Sequence, residues 1–233
     1  MARGLGGYPV RMGHVPARVE QLMALATGDE KHDPSAHSTL DILWVLYDRV
    51  LRYDPRDPRA EARDRFLMSK GHGPLALFAI LAEKGFFPAD ELKRFETWEG
   101  ILGGHPDRNR VPGIEVSTGS LGHGFPMAVG VALALRAKGS DRRVFVLIGD
   151  GEANEGSVWE TALLAGSLEL PHLTAILVDN HSSTRPLGDV AAKFAAFGWA
   201  ADTVDGRDHE ALYAALTSPD RVRPTMVVAE VHE

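Results

Sequence analysis

The stretch LIGDGEANEGSVWE, residues 147–160, sets four acids and three glycines directly behind an apolar run. Gly149 and Gly151 flank Asp150. Glycine lets backbone come close to a ligand, and the free N–H groups at the start of the following helix favour a phosphate. A carboxylate beside a phosphate site is a hard oxygen ligand of the kind that holds Mg2+. The next apolar run, LTAILV, leads into Asp179 and Asn180, and Asn180 stands thirty positions after Asp150. One helix and one strand fill that interval. The carboxylate and the amide can therefore reach the same edge of a sheet and bind one cation between them. The alternative reading is that both residues only cap turns. Two histidines lie in glycine-flanked loops, His72 in KGHG and His105 in LGGHPD. Imidazole titrates near neutrality and suits the transfer of protons to and from hydroxyl groups. His14, His37, His172, His209 and His232 have no such setting and read as surface residues.

These residues need elements to position them. The second half of the chain alternates: RVFVLI (143–148), LTAILV (173–178), WAADTV (199–204) and TMVVAEV (225–231) read as strands, and the segments between them as helices. Strands apolar on both faces and separated by helices predict a parallel sheet with right-handed crossovers. In such sheets ligands sit at the carboxyl ends of the strands, where GDG and VDN fall. In the first half, PARVEQLMALATG reads as a helix, with Pro16 in its first turn. STLDILWVLYDRVLRYDPRDP reads as a second, capped by Ser38 and stopped at Pro55. RFLMS (65–69) is a short apolar segment; PLALFAILAEKG and FPADELKRFE read as helices. Residues 100–124 form a long Gly- and Pro-rich loop of the kind that usually binds something. The helix FPMAVGVALALRAKG after it is nearly all apolar and is expected to be buried. Residues 1–15 read as a loose arm, and 16–233 as one domain.

Composition narrows the class of function. The chain has 233 residues, 44% of them hydrophobic, enough for one large domain with a core. Its net charge is −7, without the basic excess of a nucleic-acid binder. It has no cysteine, so neither a disulfide frame nor a cysteine metal site is present. No stretch reaches the roughly 18 apolar residues of a membrane span, and the first residues do not read as a secretory signal. A cytoplasmic protein is expected.

Taken in order, RFLMSKGHG, GGHP with PGIEVSTGSLGHG, GDGEANEGSVWE, the Asn of VDN and KFAAFGW resemble the transketolases, above all the N-terminal subunit of the split bacterial forms. Each motif is weak alone, and together they run from about Ala17 to the end of the sequence. The resemblance implies a three-layer α/β fold, a mainly parallel sheet flanked by helices, of the type that binds the diphosphate of thiamine diphosphate. It implies Mg2+ ligands at Asp150, Asn180 and the backbone carbonyl of Ser182. It implies cofactor contacts at His72, Gly119, Ser120, Leu121, His123, Gly149, Gly151, Glu152 and Asn180. His105 and His32 match histidines that face the substrate, and Glu155 and Glu160 match acids at a subunit interface near the cofactor. The family's cofactor serves as an electron sink for breaking the bond beside a ketose carbonyl.

The sequence also departs from the family pattern. Relatives read GHxGGS around His32, where this chain has KHDPSAHS. The loop after Asn180 is shorter by roughly ten residues, and VVAEVHE stands where relatives continue into a TxKGxG segment with a further histidine. No second α/β unit is present to bind the aminopyrimidine ring and supply its activating glutamate. The expectation is the diphosphate-binding subunit of a transketolase-like enzyme, transferring a two-carbon ketol unit from a ketose (phosphate) donor to an aldose or a specialised acceptor. It is expected to be active only with a C-terminal-type partner, in a dimer of heterodimers. The competing readings are a 2-oxoacid decarboxylase or dehydrogenase component and a non-catalytic scaffold.

Overall fold

A computed structural model of the chain describes residues 14–26, 33–218 and 220–232. Five strands form one sheet in the order β1-β2-β3-β5-β4. They are β1 (Arg65–Met68), β2 (Val144–Gly149), β3 (Leu173–Asp179), β4 (Ala200–Asp205) and β5 (Thr225–Glu230). Every pairing is parallel. Side chains alternate across a strand, and the sequence supplies apolar residues at both phases. Phe145, Leu147, Ile176, Val178 and Val227 face one core, which is closed by α1 (Ala17–Met23), α2 (Asp33–Val45), α3 (Leu75–Glu83) and α7 (His209–Thr217). Val144, Val146, Ile148, Leu177 and Val228 face the other, beneath α4 (Gly124–Ala137), α5 (Gly156–Ser167) and α6 (Val190–Ala196). The result is the expected three-layer α/β architecture.

Several elements differ from the sequence expectation. The segment RFLMS is the edge strand β1; four residues are too few to show a period, and pairing with β2 defines the strand. Helix α2 begins five residues before Ser38, which is buried within it. It then widens into a π-helical turn over Leu46–Val50, and the Leu51 N–H donates to the Leu46 carbonyl at 2.8 Å, so the helix ends well before Pro55. FPADELKRFE forms only a 3-10 turn over Ala89–Arg94. Helix α4 buries Phe125, Ala128, Val129, Ala132 and Leu135, but leaves Pro126, Met127, Gly130 and Ala134 exposed. His209 is not a surface residue: it is 4% exposed, with Nε2 2.7 Å from Asp41 Oδ1. Residues 1–13 of the expected arm lie outside the described residues.

Candidate active site at the carboxyl edge of the sheet

The carboxyl ends of β1, β2 and β3 converge on an open pocket of ≈ 310 Å³, lined by Lys70, His72, Leu121, Asp150, Gly151 and Ser182, with Gly149 and Glu152 in its wall. Parallel register builds this edge. Gly149 pairs with Val178, so Asp150 and Asn180 follow adjacent strand ends. The Asp150 N–H donates to the Val178 carbonyl at 3.0 Å, which holds the end of β2 to β3. The Asp150 carboxylate is 3% exposed at residue level. Its Oδ1 accepts from the Gly151 N–H at 2.7 Å and the Ser182 hydroxyl at 2.8 Å, and its Oδ2 accepts from the Ser183 N–H at 2.9 Å. Asn154 Nδ2 donates to the Gly151 carbonyl and to Ser183 Oγ, both at 2.9 Å, fastening the GDG turn to the loop after β3.

Two histidine loops meet above this edge. His72 and His105 pack edge to face with ring centroids 5.0 Å apart. Glycines allow the approach. A Cβ on Gly71 would lie 2.6 Å from the Gly119 backbone nitrogen, and one on Gly119, at φ +150°, would lie 2.8 Å from the His105 ring. A side chain at Gly71 would push its loop away from the Gly119 backbone, and one at Gly119 would displace the His105 ring.

Glu152 ties these loops to the sheet. It is 2% exposed, and its Oε1 accepts from the Ser69 hydroxyl at 2.5 Å and the Gly122 N–H at 2.8 Å. Oε2 accepts from the Gly149 N–H at 3.2 Å. Burial raises its pKa, and those three donors pull the other way. Both oxygens are committed to the protein, so the carboxylate acts as a strut joining the ends of β1 and β2 to the 119–123 loop. Glu152 also lines the pocket, where the resemblance implies a cofactor contact. Lys70, 7% exposed, brings a cation into the same wall. Burial lowers its pKa to about 8, against the opposing pull of Asp150 and Glu152.

The pocket suits an anion with a hard metal. Asp150, the Asn180 amide and the Ser182 carbonyl are all oxygen donors of the type Mg2+ prefers. The Cβ position of Gly151 has no atom within 4 Å, which leaves room for a bulky group against the backbone. Lys70 and His72 offer donors to a diphosphate.

The family model of the transketolase thiamine diphosphate binding domain matches residues 17–231. The chain belongs to the transketolase family. It is 46% identical over 213 residues to a protein named ferredoxin fas2 from Rhodococcoides fascians, covering 90% of this chain and 70% of that one. It is 36% identical over 219 residues to the 6-deoxy-6-sulfo-D-fructose transketolase subunit SqwG of Clostridium sp. (strain MSTE9), covering 90% and 78%. The solved transketolase of Leishmania mexicana superposes with a TM-score of 0.76 at 30% identity, over 91% of this chain. The chain spans only 36% of that transketolase's length.

Of the residues the resemblance to transketolases implies, His72, Leu121, Gly149, Asp150, Gly151 and Ser182 meet in one pocket, and His105 and Gly119 adjoin it through His72 and Gly71. Asn180 follows β3 directly and is half-buried. Ser120 is exposed. His123 is exposed at the start of α4, its Nδ1 3.0 Å from the Leu121 carbonyl, and does not line the pocket. Glu155, at the start of α5, and Glu160 are exposed outside it. His32 lies outside the described residues. Ser69, Lys70 and Asn154 were not singled out from the sequence, although Lys70 directly precedes GHG and a cation beside that motif was a readable signal.

Proposed function

We propose that this chain is the diphosphate- and Mg2+-binding subunit of a split transketolase that moves a two-carbon ketol unit from a ketose (phosphate) donor to an aldose or specialised acceptor. The observation that carries this reading is the shared edge. Asp150 and Asn180 follow adjacent strand ends, His72 lines the same pocket as Asp150, and His105 packs against His72. Thiamine diphosphate, when bound, supplies the electron sink for breaking the carbon–carbon bond. Asp150, Asn180 and the Ser182 carbonyl hold the metal. His72 and Lys70 hold the diphosphate oxygens, the ammonium offsetting charge that the metal leaves unbalanced. His105, exposed and packed against His72, binds substrate hydroxyls and moves their protons.

A partner subunit supplies the pyrimidine-binding domain and its activating glutamate. Relatives named as transketolase subunits support a partner. So does the apolar outer face of α4 and α5, where Leu163 is 57%, Leu164 52% and Met127 38% exposed. Glu155 and Glu160 border that face, as acids at an interface would, and the assembly that completes the site on both sides is a dimer of heterodimers. The altered segment around His32 and the short loop after Asn180 fit an acceptor other than an ordinary aldose phosphate. The ferredoxin name of the Rhodococcoides relative does not carry over, because clusters of that class use cysteine thiolates and these 233 residues contain none. No helix among the described residues is long and apolar enough to cross a membrane, which fits the proposed cytoplasmic setting.

The test is reconstitution. The purified chain with thiamine diphosphate and Mg2+ is assayed for ketol transfer from hydroxypyruvate or a ketose phosphate, with and without a pyrimidine-domain subunit. Transfer is expected only from the pair. Full turnover by this chain alone would refute the split arrangement.

A further inference from the structure

The opposite end of β1 carries a second polar pocket, of ≈ 400 Å³. Arg59, Arg63, Arg65, Arg108 and Arg110 line it together with Glu115, and Asp57 stands at its margin. Five guanidinium groups against two carboxylates make a cationic hollow in a chain whose net charge is −7. Part of that charge is already used. Glu115 pairs with Arg63 at 2.5 Å and with Arg65 at 3.5 Å, and Arg110 donates to the Gly100 carbonyl. The remainder is not. Among the described residues, Arg63 Nε is buried without a hydrogen-bond partner, as is Glu115 Oε2, which meets Arg63 as an ion pair only. The guanidinium groups of exposed Arg59 and Arg108 have no partner among the described residues. Burial, and after it the neighbouring Arg63, hold Arg65 below its usual pKa, against the opposing pull of Glu115, Asp64 and Glu61. Guanidinium forks match phosphate oxygens in geometry as well as charge.

The pocket is also tied to the candidate active site. Residues 106–118 form a loop closed at its neck, where the Thr118 N–H donates to the Pro106 carbonyl at 3.2 Å and the Arg108 N–H to Ser117 Oγ at 3.0 Å. The tip of the loop, 108–115, lines the arginine pocket, while His105 and Gly119 flank its neck at the other site. Strand β1 joins the same two places: Arg65 is its first residue, and Lys70 and His72 follow its end.

We propose that this pocket binds a small phosphorylated metabolite, or free diphosphate, through Arg59, Arg63 and Arg108, and that its occupancy orders the loop that carries His105. The site is separate from the cofactor edge, and the inference stands whether or not the ketol-transfer reading holds. The test is calorimetric titration of inorganic pyrophosphate in magnesium-free buffer with chelator, into the wild-type chain and into an Arg59→Ala/Arg108→Ala double variant. Both side chains are exposed, so the fold is expected to persist, and thermal melting checks that. The expected result is binding by the wild type that persists when thiamine diphosphate is added and weakens roughly tenfold or more in the double variant, two charge-assisted contacts having been lost. Hydrogen exchange of residues 106–118 should slow on binding in the wild type only. Equal affinity in the two proteins, complete displacement by thiamine diphosphate, or no binding at millimolar pyrophosphate would each overturn the proposal.

Discussion

Replacing Glu152 by alanine tests how the candidate site is held together. The carboxylate is buried and accepts three hydrogen bonds, from Ser69 at 2.5 Å, Gly122 at 2.8 Å and Gly149 at 3.2 Å. A buried donor left without a partner costs about 1–3 kcal/mol. The two short bonds carry most of the loss, and water entering the vacated space recovers some of it. The expected destabilisation of Glu152→Ala is therefore about 3–5 kcal/mol, the range found when one partner of a buried charged network is removed. Glu152→Gln keeps one acceptor oxygen for Ser69 and Gly122 but turns an amide N–H2 toward the Gly149 N–H. It should lose about 1–2 kcal/mol. Urea unfolding followed by tryptophan fluorescence measures both. A loss below about 1 kcal/mol for the alanine variant, or equal losses for the two, would refute the strut. Because Glu152 joins the ends of β1 and β2 to the 119–123 loop, Glu152→Ala should also raise hydrogen exchange at residues 119–123 before global unfolding.

Two further outcomes follow from named contacts. Asp64 is fully buried at its side chain and accepts from both Arg52 and Arg143, with Arg143 Nη2 at 2.7 Å. Burial alone would raise its pKa, but the hydrogen bonds from Arg52 and Arg143 outweigh it and hold the carboxyl below the ordinary 3.8. A carboxyl lowered in the folded state contributes stability above its unfolded pKa and loses it as pH falls through the folded value. Asp64→Asn should cost about 1–3 kcal/mol at pH 7, with a gap from wild type that narrows below about pH 4; a gap independent of pH in urea titrations would contradict this. His105→Ala should lower turnover of the reconstituted pair by about 10²- to 10⁴-fold while leaving cofactor affinity within a few fold; a parallel fall in affinity would move His105 to the cofactor side.

The sheet was legible because its central strands are apolar at both phases, and only a two-sided parallel sheet buries such runs. The GDG turn and Asn180 were legible because their separation matches one helix and one strand. What stayed hidden depends on contacts distant in sequence. Glu152 reads as part of a ligand motif, but its bond to Ser69, 83 residues away, has no local signal. The exposed side of α4 was hidden because its surface residues are as apolar as its buried ones. His209 was misread because nothing local to it predicts Asp41, 168 residues earlier. The arginine pocket draws on two segments, 57–65 and 108–115, that only the fold brings together.

The edge formed by Asp150, Asn180 and Gly151 is proposed to bind the metal diphosphate. Calorimetric titration of thiamine diphosphate into the assembled pair, with Mg2+ or with chelator, tests it most directly when wild type and Asp150→Ala are compared. Wild type is expected to bind tightly with Mg2+ and to lose most of that affinity on chelation, while an Asp150→Ala protein that melts as a folded chain should show no Mg2+-dependent binding. A diphosphate without its metal leaves uncompensated charge at a partly buried site, a cost of several kcal/mol. Unchanged affinity in Asp150→Ala, with the same response to Mg2+, would contradict the claim.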